Sequence, residues 1–188
     1  MISPTLRELL RPALLIHTFF WWILTACIVF YVVLAWILAR APDAPAAVAS
    51  SIELALAGFA IATGAASLLL PRFWLSDERL RSVLASPPDL EALARPQGSG
   101  ARDELRLQAI QTLTDQEQKL LALPGFYFPC FLVRMVLNES VAVYGLILSI
   151  LSHTFEPVLP FAAAGLLLNL VSRPRIEALL ERASHLLR

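Results

Sequence analysis

The sequence predicts an all-α, polytopic membrane protein with four transmembrane helices, a cytoplasmic helical loop and a C-terminal amphipathic helix. Three observations lead to this fold class. The 188 residues are 57% hydrophobic and 16% charged, with a mean hydropathy of +0.67, which is unlike a soluble globular domain. The apolar residues are gathered into four runs of the length that a helix needs to cross a bilayer, about 20 residues. The basic residues lie almost entirely on one side of these runs.

The first two runs form a predicted hairpin over residues 13–70, after an N-terminal segment of residues 1–12. Residues 13–38 carry no charge, and the run is too long for a signal peptide and lacks a prompt cleavage site. Residues 48–70 are rich in small side chains and have Glu53 near their start. We predict that both runs are membrane-spanning helices.

The last two runs form a second predicted hairpin, residues 125–172. The third run covers residues 125–151 and contains an arginine, an asparagine and a glutamate. The fourth, residues 156–172, is the shortest, and we expect its Asn169 to form a hydrogen bond between helices. With these two runs the predicted number of spans is four.

Basic side chains give an independent test of this topology. Of all arginines and lysines, only Arg40 lies in the two short connections, 39–47 and 152–155. Arg134 lies within the third run. By the positive-inside rule, the basic side of the membrane is the cytoplasmic side. We therefore predict that both termini and the loop 71–124 are cytoplasmic, in a bacterial inner membrane. The basic residues on this side are Arg7, Arg11, Arg72, Arg79, Arg81, Arg95, Arg102, Arg106, Lys119, Arg173, Arg175, Arg182 and Arg188.

The loop 71–124 is predicted to be helical with interruptions. Residues 73–85 have helical spacing, residues 86–100 contain proline and glycine, and a helix restarts after them. Thr114 and Glu117 are spaced as a capping box, and we expect the helix that they open to end at Pro124-Gly125. The loop is interpreted either as a solvated helical hairpin or as a docking site for a cytoplasmic protein.

The tail, residues 173–188, is predicted to be an amphipathic helix. Its apolar residues fall on one helical stripe, and arginines flank that stripe. Two interpretations remain open: the helix lies at the lipid headgroups, or it packs on the loop. The stripe consists of Ile176, Leu179, Leu180, Ala183 and Leu187.

The third run contains the most informative residues, Arg134, Asn138 and Glu139. Asn138 and Glu139 lie near its midpoint, where a charged side chain costs about 2.5–3.5 kcal/mol. A protein keeps such a group only where it faces protein or water, is protonated, or is paired. Arg134 is on the same helical face as Asn138 but about 140° away from Glu139, so an ion pair within the helix is unfavourable. We interpret Glu139 as a protonated carboxyl that binds an ion, with Arg134 and Asn138 adjusting its environment.

After Glu139 come a small residue, then Tyr144, Gly145 and an aliphatic stretch. This order resembles the ion-carrying helix of the proteolipid (c) subunit of rotary ATP synthases. The second run, "LAGFAIATGAASLLL", is similar to the inner helix of that hairpin, and Arg72 follows it. The resemblance implies a proton or cation site at Glu139, with Tyr144 nearby, in a homo-oligomer or a subunit of a membrane complex.

Small side chains on the second run predict close helix packing. Gly58, Ala62, Ala65 and Ala66 are spaced by threes and fours, which suits contact with another helix rather than with lipid. We expect this face to support self-association or the fold.

Two functions from different classes are consistent with the sequence. The first is a proton-binding or cation-binding subunit of an oligomeric membrane complex. The second is a membrane scaffold or assembly protein, in which the polar residues bind a partner helix and the loop recruits a soluble protein. We do not expect an enzyme, because no nucleophile–base pair or metal-ligand set is visible. No cofactor, metal or nucleic-acid partner is expected, and the net charge is zero.

Overall fold

The computed structural model describes residues 3–40, 48–94 and 103–187, and these residues contain helices but no strand. Part of the predicted break in the loop, residues 95–100, lies outside them. The fold class is therefore all-α, as predicted. The helices are α1 (Pro4–Leu38), α2 (Ser50–Trp74), α3 (Asp77–Ala85), α4 (Leu90–Ala94), α5 (Glu104–Gln111), α6 (Asp115–Ser152), α7 (Val158–Val171) and α8 (Ile176–Leu186).

Three of these helices, α1, α2 and α6, are long and apolar enough to cross a membrane. They contain 35, 25 and 38 residues, and their length and composition are compatible with an integral membrane protein. The fourth predicted span corresponds to α7, which is apolar but only 14 residues long. At 1.5 Å per residue α7 covers about 21 Å, less than the roughly 30 Å of a bilayer core. The number of four spans and their orientation remain predictions.

Helix α6 does not end at Pro124-Gly125, so that prediction is wrong. The helix continues through Pro124 and Pro129 to Ser152. A proline inside a helix removes one hydrogen bond and favours a kink, but it does not force an end when side chains on both sides are packed. Leu123 before the Pro124-Gly125 pair and Phe131 after it are both buried. The capping box at the start of α6 is confirmed: Thr114 Oγ1 accepts from the Glu117 amide, and the Glu117 carboxylate accepts from the Thr114 amide.

The chain divides into two compact units, each built from segments that are distant in sequence. We call the first the leucine-core unit; it comprises Met1–His17, Arg72–Pro129 and Arg175–Arg188. We call the second the polar-core unit; it comprises Thr18–Pro71 and Cys130–Pro174.

The leucine-core unit has an apolar core of its own. Ends of α1 and α6 together with α3, α5 and α8 contribute to this core, so the N-terminal segment, the loop and the tail pack together. The tail helix α8 buries its apolar stripe there, and the Arg182 Nε donates to Asp77 at 2.9 Å. Packing on the loop is therefore the correct one of the two interpretations for the tail. The buried residues are Leu6, Leu10, Leu80, Leu84, Ala94, Leu107, Ile110, Leu113, Leu120, Leu121, Leu123, Ile176, Leu179, Leu180 and Ala183.

In the polar-core unit, large apolar side chains point outward. Trp22, Phe30 and Phe59 are each about 60% exposed, and Ile61 is 74% exposed. An exposed apolar surface of this kind on long helices suits contact with lipid. The interior of this unit contains both small apolar clusters and polar side chains.

Candidate functional site

Asn138 is the centre of a buried hydrogen-bond network in the polar-core unit. It lies on α6 and is fully buried. Its Nδ2 donates to Asn169 Oδ1 and to Ser172 Oγ, each at 2.9 Å, and its Oδ1 accepts a hydrogen bond from Ser67 Oγ. An asparagine amide has two N–H donors and one carbonyl acceptor, so each of these groups has a protein partner.

Asn169 extends the network from α7 to α1. Its Nδ2 donates to Thr25 Oγ1 at 3.4 Å, and its backbone carbonyl accepts from Trp21 Nε1 at 2.9 Å. The expected interhelical role of Asn169 is confirmed. Through Ser67, Asn138, Asn169 and Thr25 the network connects α2, α6, α7 and α1, that is, all four apolar helices.

Glu139 faces a different neighbour from Asn138. It is half-buried on α6, and its Oε1 accepts a hydrogen bond from the Tyr31 hydroxyl on α1 at 2.8 Å. Cys27, one helical turn before Tyr31, lies near this carboxylate. Tyr31 packs beside the buried Ile28 and Ala35. The site around Glu139 is therefore built by α1 and α6.

Tyr144, which the resemblance places near Glu139, lies on another face of α6. Its hydroxyl is 3.4 Å from Thr63 Oγ1, and its ring is 6.3 Å from that of Phe59, both on α2. Positions five residues apart differ by about 140° around a helix, which separates Tyr144 from Glu139. Arg134 is half-buried on α6, one turn before Asn138. Asn138 thus belongs to a buried network, Glu139 to a carboxylate site and Tyr144 to an α2 contact.

The residues that sequence reasoning missed are mainly hydroxyl groups. Sequence periodicity does not distinguish these hydroxyl groups, because serine, threonine and tyrosine are common in apolar helices. The missed residues are Ser67, Ser172, Thr25 and Tyr31. Tyr31 has one usable feature: it lies inside the first run rather than at an end, where aromatic belts occur. A tyrosine at that position needs a hydrogen-bond partner.

The predicted small-residue face does not pack within the chain. Gly58, Ala62, Ala65 and Ala66 are all exposed, and a Cβ atom added to Gly58 would have no neighbour within 4 Å. The face of α2 that is buried consists of Ala60, Gly64 and Ser67. This face is therefore mostly exposed within the chain, and its role in self-association remains a prediction.

Close helix contacts occur instead at three other glycines. A Cβ on Gly145 of α6 would lie 2.6 Å from the Phe161 Cβ of α7. A Cβ on Gly165 of α7 would lie 3.1 Å from the Asn138 backbone oxygen, and one on Gly64 would lie 3.3 Å from Leu168. These distances show that α7 is packed tightly against both α6 and α2.

The described residues contain no group of three or more histidine, cysteine, aspartate or glutamate side chains that could hold a metal ion. No known protein family, curated protein or solved structure matches the chain. The resemblance to the proteolipid hairpin therefore stays an expectation, and the geometry of the site is the basis for a function.

Proposed function

We propose that the protein is a proton-binding subunit of an oligomeric membrane complex, in which the Glu139 carboxyl takes up and releases the proton. The observation that carries this proposal is the 2.8 Å hydrogen bond from Tyr31 to a half-buried Glu139, in a unit whose outer surface is apolar. An ionisable group inside membrane helices is expensive, and this cost makes a functional role the default hypothesis.

The difference between Glu139 and Asn138 supports this assignment. The side chain of Asn138 is satisfied within the chain, so it explains the architecture of the helices and needs no ligand. Glu139 takes no part in that network, and its partial exposure lets a proton or a neighbouring subunit reach it.

A proton suits the site better than a metal cation. Hard metal cations such as calcium take six to eight oxygen ligands, whereas a proton needs only the carboxylate itself. The side chains found at Glu139 are the Tyr31 hydroxyl and the Cys27 thiol. This donor set is compatible with protonation and is poor for a metal ion.

The topology belongs to the same proposal. We place four spans in a bacterial inner membrane, with both termini and the loop 71–124 in the cytoplasm. The distribution of basic residues, thirteen on one side and Arg40 alone on the other, supports this orientation. The hydrogen bonds from Asn138 to Asn169 and Ser172 support α7 as the fourth span. Because of these hydrogen bonds, the polar Asn169 of the short helix α7 has its partner, Asn138, inside the bilayer.

Chemical labelling tests the proton-binding role directly. Dicyclohexylcarbodiimide modifies protonated carboxyl groups in apolar surroundings, and mass spectrometry of the detergent-solubilised protein locates the label. We expect labelling at Glu139 that declines as the pH rises. Glu53, exposed in the first turn of α2, is the matched control in the same unit and should remain unlabelled. Absence of label at Glu139 across the pH range would refute the proposal.

Substitutions at Glu139 distinguish the ability of its carboxyl to titrate from the size and hydrogen bonding of its side chain. Glu139→Gln keeps the size and hydrogen-bonding capacity of the side chain but cannot titrate, so the protein should fold and fail to complement a deletion strain. Glu139→Asp shortens the side chain by one methylene and should complement partially. Full complementation by Glu139→Gln would remove proton binding and leave the scaffold function.

A further inference from the structure

The leucine-core unit contains a cleft that the proton site does not use. Its volume is about 630 Å³, and its walls come from the N-terminal part of α1, the start of α6 and α8. We call it the α8 cleft. Clefts of about 300–1,000 Å³ are the usual size of small-molecule sites. The α8 cleft falls within this range, so its lining decides what it could bind.

The floor of the α8 cleft is apolar. Leu10, Leu120 and Leu180 line it and are at most 4% exposed, and Leu14 beside them is half-buried. These leucines belong to the core of the unit or pack against it, so the floor is held rigidly. Because Leu10, Leu120 and Leu180 are almost fully buried, the half-buried Leu14 offers the apolar surface that a partner's side chains can remove from water.

The rim of the α8 cleft is predominantly acidic. Glu117, Glu177 and Glu181 line it, with Arg7 as the one permanently charged cation. Glu177 and Glu181 are four residues apart on α8, so they share a face, and both are exposed. In the part of the chain that the structure describes, neither carboxylate takes part in an ion pair or a hydrogen bond.

The third carboxylate is held in its charged form. Glu117 accepts hydrogen bonds from Ser3 and Thr114, and these lower the pKa of its carboxyl, with the Ser3 contribution the largest. It is therefore ionised at neutral pH. An apolar floor beneath three carboxylates is complementary to a basic, amphipathic segment, and it repels the anionic headgroups of lipids.

We propose that the α8 cleft binds a basic amphipathic peptide segment of another protein, with apolar side chains of the segment on the leucine floor and its lysines or arginines against Glu177 and Glu181. This surface is distinct from Glu139. It gives the leucine-core unit a partner of defined chemistry, and it combines parts of α1, α6 and α8 that the sequence places far apart.

The test uses the full-length protein in a non-ionic maltoside detergent. Because the micelle carries no charge, it does not attract the charged peptide by electrostatics. The probe is a fluorescent synthetic peptide with leucines on one helical face and lysines on the other, and fluorescence anisotropy measures its binding. A second peptide with glutamates in place of the lysines is the control probe. We expect saturable binding of the basic peptide that weakens with added salt, and none of the acidic peptide.

Matched double variants then locate the binding surface. Glu177→Gln with Glu181→Gln should weaken binding of the basic peptide about tenfold. Glu8→Gln with Glu78→Gln removes two exposed carboxylates that do not line the cleft, and it should leave affinity unchanged. Absence of saturable binding, equal binding of the acidic peptide, or equal losses in both double variants would overturn the proposal.

Discussion

In the leucine-core unit the buried side chains are aliphatic and charged residues face outward, whereas the polar-core unit buries amides and hydroxyls and exposes large apolar residues. Six polar residues are buried in the described chain, and five of them, Ser67, Asn138, Ser149, Asn169 and Ser172, belong to the polar-core unit. The sixth, His17, is the residue at which the leucine-core segment of α1 ends, and its ring stacks on Tyr127 at 5.5 Å.

This difference is the one that the proposed topology predicts, with the leucine-core unit in water and the polar-core unit in the bilayer. In water, removing leucine from the solvent is the main favourable term, so an apolar core is sufficient to organise α3, α5 and α8. In a bilayer, the lipid is as apolar as leucine and little is gained by burying it. Hydrogen bonds and close contacts between small residues must then fix which helices meet. The network around Asn138 and the contact of Gly145 with Phe161 have this role.

The comparison also separates Glu139 from the other polar residues of its unit. Asn138 and Asn169 are fully buried and bonded to one another, as residues that fix an architecture should be. Glu139 is half-buried and takes no part in their network. Its hydrogen bond goes to Tyr31 of α1 instead, and we therefore propose a functional role for its carboxyl.

The largest effect is expected from placing an amide in the leucine core. Leu180 is 2% exposed, and Leu180→Asn removes its apolar burial and leaves a buried amide without partners. The cost should be about 4 kcal/mol or more, enough to unfold the unit. Hydrogen exchange of α8 and α3 measures it. The control Ala178→Asn, on the exposed face of α8, should cost roughly 0.7 kcal/mol at most. Equal effects would show that the core is loosely packed.

The reverse exchange, Asn138→Leu, should destabilise the polar-core unit despite adding an apolar side chain. It removes three hydrogen bonds, each worth about 0.6–1.7 kcal/mol in membrane proteins, for a total of about 2–5 kcal/mol. Thermal unfolding in detergent measures the change. Ser140→Ala is the control on the same helix, because the Ser140 hydroxyl donates to the Val136 carbonyl of its own helix. A stable Asn138→Leu variant would contradict the role of the network.

A smaller contrast is expected between two glycines of the polar-core unit. Gly145→Ala places a Cβ 2.6 Å from Phe161 and should cost about 1–3 kcal/mol. Gly58→Ala meets no atom within 4 Å and should stabilise the helix by roughly 0.5–1 kcal/mol. Thermal unfolding compares the two variants. Gly58→Leu tests the outward face separately: if that face forms an oligomer, the mass in mild detergent should fall while the monomer stays folded.

The smallest effect concerns the acid stability of the leucine-core unit. Glu117 has a pKa lowered from its ordinary 4.5 by Ser3 and Thr114. Its contribution to stability is therefore complete at neutral pH and is lost as the pH falls below 4.5 through the lowered pKa. Glu117→Gln should be less stable than the parent at pH 7, and the difference between them should vanish in acid. Parallel stability curves for the two proteins would show that these hydrogen bonds do not persist in solution.

The sequence by itself determined the helical class, the long apolar helices, the capping box at Thr114 and the apolar stripe of α8. These features depend on neighbours within a few residues, and local spacing reports them directly. It also identified Asn138 and Glu139 as costly residues and Asn169 as a hydrogen-bond former, because a polar group in a long apolar run needs a partner, whichever partner that is.

Only the tertiary structure decided which partners those residues have. Tyr31 and Glu139 are separated by 108 positions in the chain, and Ser67 and Asn138 by 71, so no local pattern relates them. The continuation of α6 through Pro124 and the exposure of Gly58 were settled in the same way. In each case long-range packing outweighed a local preference, because helix contacts contribute more free energy than one backbone hydrogen bond or one small side chain.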